Sequence, residues 1–118
     1  MDPGRVIKTL VMETEAALPL VVLMHGDRSV STKLLARHIG CKTVRPCEPG
    51  VAEHHSGYRV GGTSPFGLRT SMTVYLERSI TDLATVFVNG GKRGFLVEIS
   101  TADLTALLSP VVVDVAVP

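Results

Sequence analysis

The stretch "HSGYRVGGTSPFG" (His55–Gly67) sets four glycines and a proline among hydroxyl and aromatic side chains. Such a stretch folds into a loop whose backbone approaches something closely, because glycine leaves the main chain uncovered. A plain turn between two strands would use the same residues. No nucleophile–base pair accompanies the loop: Ser56, Ser64, His25, His38 and the aspartates do not assemble into a triad from sequence order. Lys8 is a second candidate. Alternation along Arg5–Met12 puts Val6, Lys8, Leu10 and Met12 on one face, and Ile7, Thr9 and Val11 on the other. A lysine among apolar neighbours on an inner face is unfavourable unless it is paired or faces a pocket. On an edge strand it would instead reach water along its own stem. Thr9 could add a hydroxyl only if a twist or bulge turned it in. Cys41 and Cys47 with His54 and His55 give C-x5-C-x6-H-H, which is not a usual zinc spacing. Neither a metal nor a cofactor is expected.

These residues belong to a chain of 118, 45% hydrophobic, with a formal net charge of +1. That suits one domain with one core. The near-neutral balance argues against a broad nucleic-acid-binding face, while a local basic patch could still hold a phosphate or two. No apolar run approaches the length of a membrane span. The N-terminus lacks the pattern of a secretory leader, and two cysteines make no disulfide framework. A cytoplasmic location is the default expectation.

The elements that must position the candidates are short. Arg5–Met12 and Pro19–Gly26 read as strands joined by "EAALP" into a hairpin. "SVSTKLLARHIG" predicts a helix capped by Ser31 and ended by Gly40. A brief extended piece broken by prolines follows, then a helical turn over 51–55. After the glycine loop, Met72–Glu77 and Ala84–Gly90 predict strands, with a helical turn between them. "NGGKR" marks a tight hairpin into Gly94–Ser100. Ser100 and Asp103 resemble a capping box opening a helix whose apolar face is Leu104, Leu107 and Leu108. "VVVDVAV" is a final strand or an extended tail. The fold class is α/β in the mixed α+β sense.

The motifs "VIKTLV", "GDRSVSTKLLARHIG", "GYRVGGTSPFG", "VYLERSI", "VFVNGGKRGFLVEIS" and "ADLTALL" occur in the order found in the YbaK/EbsC family. The resemblance covers nearly the whole chain. The family is related to the editing domain inserted in bacterial prolyl-tRNA synthetases, and several members are free-standing aminoacyl-tRNA deacylases. The resemblance implies a mixed sheet or open barrel with short flanking helices, as a single editing domain over residues 1–118. It also implies an N-terminal truncation, since members carry about forty further residues, a helix and a strand, before this segment.

The implied substrate is an aminoacyl ester on the acceptor end of tRNA, such as Cys or Ala on tRNA(Pro). Prolyl-tRNA synthetase is a candidate partner. Lys8 matches the family's functional lysine and would hold a carbonyl, phosphate or ribose hydroxyl as a point charge, with Thr9 beside it. Gly61, Gly62, Thr63, Ser64 and Pro65 match the family's G-x-x-x-P loop, whose backbone N–H groups could stabilise a developing oxyanion. Asn89, Gly90 and Gly91 would close one side of the pocket, with Lys92 and Arg93 on the path of the acceptor end. As a free hairpin, the same two cations would simply be solvated. Gly61 and Gly62 are therefore expected to line one large cavity within reach of Lys8. In cysteine-specific members the substrate's own thiol attacks its ester, which accounts for the missing nucleophile; other members use water or a ribose hydroxyl. The alternative is a non-catalytic module that binds tRNA or a synthetase, or an inactive truncated member. A sheet edge left uncovered by the missing elements leads to the expectation of a homodimer.

Overall fold

The computed structural model describes residues 2–118. Strands β1 (Val6–Thr14) and β2 (Pro19–His25) form the expected antiparallel hairpin, in register from Ile7↔His25 to Glu13↔Pro19. Strand β3 (Ser29–Val30) leads into helix α1 (Thr32–Ile39), where Ser31 Oγ accepts from Leu34 N–H. Gly40 closes that helix at φ 87°, a left-handed geometry that glycine adopts without a Cβ clash. Strand β4 (Val44–Pro46), helix α2 (Pro49–Ser56) and the glycine loop come next. They are followed by β5 (Thr73–Glu77), a 3-10 turn (Arg78–Asp82), β6 (Thr85–Asn89) and β7 (Leu96–Ser100). Helix α3 (Thr101–Leu108), β8 (Val111–Val113) and β9 (Ala116–Val117) end the chain.

One mixed sheet runs β7-β6-β1-β2-β5-β8, with β4 beside the far end of β1 and β3–β9 a separate pair. Strand β2 is buried on both faces, which explains its unbroken apolar run. Val21 and Leu23 point into a core with Ile7, Val74, Leu76, Val86 and Leu104. Leu20, Val22 and Met24 point the other way, into a core with Met12, Leu35, Ala36 and Val115. The sheet is therefore sandwiched, with α1 on one side and α3 on the other. In α3, Leu104 is buried and Leu108 half-buried, but Leu107 is 68% exposed. The apolar stripe expected there is narrower, because a two-turn helix lying over one sheet face covers only part of its circumference. No helix among the described residues is long and apolar enough to cross a membrane.

One polar side chain ties the ends of the chain together. Glu77 is 1% exposed, with Oε1 accepting from Val115 N–H at 2.8 Å and Ala116 N–H at 3.0 Å. Its Oε2 accepts from the N–H and hydroxyl of Ser79. Ser79 Oγ in turn meets His25 Nε2 at 2.8 Å, and His25 Nδ1 reaches Gly4 C=O at 2.6 Å. Burial alone would push the Glu77 carboxyl up, but these donors outweigh it and hold the group below its ordinary 4.5.

Candidate active site

The site begins with a gap in the sheet. Strand β6 pairs with β1 only at Val6 and Ile7, and β4 only at Met12 to Thr14. Between them, residues 8–11 have β2 on one side and, among the described residues, no strand on the other. The sequence explains both departures: Gly90–Gly91 turn the chain away after β6, and Pro46, which lacks an N–H, ends the β4 ladder. Val11 C=O turns outward to Cys47 N–H at 3.1 Å. By the two-residue period of a strand, Thr9 presents its N–H and C=O to the same side, into the gap.

A cavity of about 540 Å³ fills this gap. Lys8 and Thr9 line its floor, Gly61 and Thr63 its roof, and Asn89 one end. Much of the rest is apolar, from Leu10, Val11, Ala52, Val60 and Leu96. Lys8 is half-buried and has no ion pair among the described residues. Thr9 Oγ1 is buried without a hydrogen-bond partner among the described residues, and so is Thr101 Oγ1 at the start of α3. Alternation had set Lys8 and Thr9 on opposite faces. Both line the cavity, with no bulge required, because it opens at the strand's edge.

The glycine loop is held against the β6–β7 turn. Asn89 Nδ2 donates to Gly61 C=O at 3.3 Å, and Asn89 Oδ1 accepts from Gly91 N–H at 2.8 Å. Arg93 Nη2 donates to Val60 C=O at 3.3 Å. A Cβ on Gly62 would meet the backbone of Lys92 and Arg93 at 2.9 Å, so only glycine lets the two loops touch. What the loop approaches on this side is therefore its own protein. Among the described residues, the N–H groups of Gly61 and Thr63 donate to no protein acceptor.

The expected site residues divide between two cavities. Gly62 does not line the Lys8 cavity; it faces an adjoining one of about 570 Å³, with Tyr58, Arg59, Gly91, Lys92 and Arg93. Its packing against the 92–93 backbone is the reason. Ser64, Pro65 and Gly90 line neither cavity. Ser64 Oγ is turned to accept from Phe66 N–H at 3.1 Å, and Pro65 is buried beside it. Gly90 lies under the Phe95 ring, where a Cβ would come to 2.6 Å.

Sequence reasoning missed Cys47 as part of the wall, since nothing local announces that β4 pairs with β1. Burial first, then the hydrogen bond to and charge of Glu13, push the Cys47 thiol up to about 11. It stays protonated near neutral pH and is a poor nucleophile. Glu13 is itself paired with Arg45 at 2.9 Å, which holds its carboxyl below the usual range. The serine–histidine contact among the described residues, Ser79 with His25, has the serine hydroxyl donating to Glu77 and lines neither cavity. It is a structural link. Among the described residues no group of three or more His, Cys, Asp or Glu side chains could hold a metal ion.

The model of the aminoacyl-tRNA editing domain matches residues 1–107. An Enterococcus faecalis protein described as a candidate Cys-tRNA(Pro)/Cys-tRNA(Cys) deacylase, EbsC, is 30% identical over 107 residues. That match covers 91% of this chain and 65% of the relative, so the chain spans just under two thirds of its length. A proline–tRNA ligase of Moorella thermoacetica is 29% identical over 95 residues, which is 80% of this chain and 16% of the ligase. A solved structure described as a candidate trans-editing enzyme for prolyl-tRNA synthetase has the same fold. It superposes with a TM-score of 0.91 at 24% identity, over 99% of this chain and 73% of that one. The motif order, the mixed sheet and these matches converge: the chain belongs to the aminoacyl-tRNA editing domain family.

Proposed function

We propose that residues 1–118 form one editing domain that hydrolyses a mischarged aminoacyl ester on a tRNA 3′ end, acting in trans. The observation that carries this reading is convergence on one cavity: Lys8 lines it together with Gly61 and Thr63, whose N–H groups donate to no protein acceptor among the described residues. A carbonyl held between them would gain two backbone donors and a point charge as its oxygen becomes negative. Thr9, whose C=O is turned into the gap, is placed to accept from the amino or ribose hydroxyl groups of the substrate.

The thiol of Cys47 is held protonated, and this reading assigns the attack to no protein side chain. Two routes remain. In the first, the substrate's own thiol attacks: a C–S bond forms, the C–O bond to the ribose breaks, and the ribose oxygen takes up the proton. In the second, water attacks, positioned by the neighbouring ribose hydroxyl. A new C–O bond makes the free carboxyl group, the C–O bond to the ribose breaks, and the ribose oxygen takes up the proton. The apolar wall suits a small uncharged side chain.

The test is release of amino acid from Cys-tRNA(Pro) and Ala-tRNA(Pro) by the purified chain. Release from either, above the spontaneous rate, is the expected result. Faster release from the cysteinyl ester would assign the thiol route. Absence of release from both would leave a tRNA- or synthetase-binding module. A homodimer belongs to the same reading, supported by the edge strand β7 with Leu96 and Val97 exposed. Sedimentation of the assayed sample reports its mass, and a monomer at high concentration would count against it.

A further inference from the structure

The Gly61 N–H belongs to a peptide at the centre of a tight turn. Gly62 N–H donates to Arg59 C=O at 2.9 Å, which closes a turn with Val60 and Gly61 in its middle. Gly61 is at φ 91° and Val60 lies outside the positive region, so the turn is type II. Type I and type II turns keep the same closing hydrogen bond and differ by a flip of the central peptide. Here that peptide joins Val60 C=O to Gly61 N–H. Glycine accepts φ of either sign, so the backbone alone does not choose between the two forms. The choice matters for chemistry. A flip would replace the N–H facing the Lys8 cavity with a carbonyl oxygen, which repels a developing oxyanion.

The peptides on either side have no such freedom. The one before is held at both polar atoms: Arg59 C=O by Gly62 N–H, and Val60 N–H by Glu53 Oε2 at 3.0 Å. The one after is held likewise: Gly62 N–H by Arg59 C=O, and Gly61 C=O by Asn89 Nδ2 at 3.3 Å. The central peptide has a single partner among the described residues, Arg93 Nη2, which donates to Val60 C=O at 3.3 Å. The guanidinium reaches it by lying over Gly61, where a Cβ would come to 3.0 Å from Nε. Arg93 lines the second cavity, and Gly61 lines the first. A carbonyl drawn toward Arg93 leaves the N–H of the same trans peptide pointing the other way, to the Lys8 side. We propose that Arg93 is a positioning residue: its hydrogen bond to Val60 C=O holds the turn in the type II form and presents Gly61 N–H to the substrate carbonyl. This rests on the deacylase reading for the use of that N–H, but not for its orientation.

The test reads the peptide and the rate separately, on the full chain. In the type II form Val60 Hα lies beside the Gly61 amide proton, whereas a flip brings the Val60 and Gly61 amide protons together. Wild type should show the first nuclear Overhauser contact strongly, and Arg93→Ala should weaken it and add the second. Arg93 is exposed, and Asn89 and the Gly62 contact keep the loop docked, so the variant should fold. In deacylation of the mischarged tRNA, Arg93→Ala should lower kcat about fivefold or more and leave KM within about twofold, because a donor to the oxyanion acts in the transition state. Arg93→Lys should be as slow, since an ammonium cannot lie flat over Gly61 and reach the carbonyl as a planar fork does. A guanidinium acting only on a tRNA phosphate would give the opposite split: a raised KM, an unchanged kcat and tolerance of lysine. That split, or an Arg93→Ala protein that keeps the wild-type contacts, would overturn the proposal. Should Arg93→Ala fail to fold, Arg93→Lys carries the same two readings. If wild type releases no amino acid from either ester, the deacylase reading fails, and the proton contacts still decide whether Arg93 sets the peptide.

Discussion

Lys8→Ala is expected to lower deacylation of mischarged tRNA at least about tenfold, equivalent to roughly 1.4 kcal/mol of transition-state stabilisation. Lys8 sits half-buried on the floor of a mostly apolar cavity with no carboxylate paired to it among the described residues. A charge in such surroundings is screened less than one in water, and it interacts with whatever negative oxygen the cavity admits. Lys8→Arg should not restore the rate, because a planar fork does not replace a compact ammonium at one point. Replacing Cys41 or Cys47 by serine should leave the rate within about twofold, since a thiol held protonated supplies no thiolate. Single-turnover assays of these variants decide the matter. A Lys8→Ala protein that is folded and as fast as wild type would remove the lysine from the mechanism, and loss of activity in a folded cysteine variant would restore a thiol to it.

Glu77→Gln is expected to destabilise the fold by about 3 kcal/mol or more, because an amide oxygen can accept from only one of the two donor pairs that surround the carboxylate. Each oxygen now takes two: Val115 and Ala116 N–H on one, Ser79 N–H and hydroxyl on the other. Glutamine would turn an NH2 toward one of those pairs, leaving buried donors facing a donor. Against a typical total of about 5–15 kcal/mol this is a large fraction, and the melting temperature should fall by roughly 10 °C or more. The pH dependence carries a sign. The folded carboxyl lies below its ordinary 4.5, so its contribution is complete above that value and is lost as pH falls through the lowered folded value. The gap between wild type and Glu77→Gln should therefore narrow in acid. Parallel stability curves from pH 7 down to pH 3 would show that the carboxylate's charge contributes nothing.

Local chemistry was readable where the cause is local. Ser31 and Gly40 delimit α1, the apolar run of β2 announces a strand buried on both faces, and the Gly90–Gly91 turn joins β6 to β7. Lys8 stood out because a charge interrupts an apolar strand. The division of labour among the glycines was not readable. Gly61 faces a cavity and Gly62 faces the 92–93 backbone, although the two are neighbours of identical composition. The difference lies in how a loop at residue 62 docks on a turn thirty residues later. The gap beside β1 was hidden for the same reason, since it depends on where two strands distant in sequence part from a third. Thr9 shows the consequence: alternation assigns a side chain to a face, but not to the edge of a strand that has lost its neighbour.

That lost neighbour gives the middle of the sheet an unusual clock. Amide protons in a strand flanked on both sides are released only when the sheet opens, over the longest times the fold allows. The amides of Thr9 and Val11 face the gap without a strand partner, between residues paired on both sides at 7 and 13. They should exchange with deuterium as fast as those of an outer strand, while the neighbouring amides of Lys8 and Leu10, turned toward β2, stay protected. A ligand that bridges the gap would slow the fast pair and leave the slow pair unchanged. Hydrogen exchange at Thr9 and Val11 is thus a direct report on occupancy, independent of any turnover, and uniform protection along β1 in the free protein would show that the gap is closed.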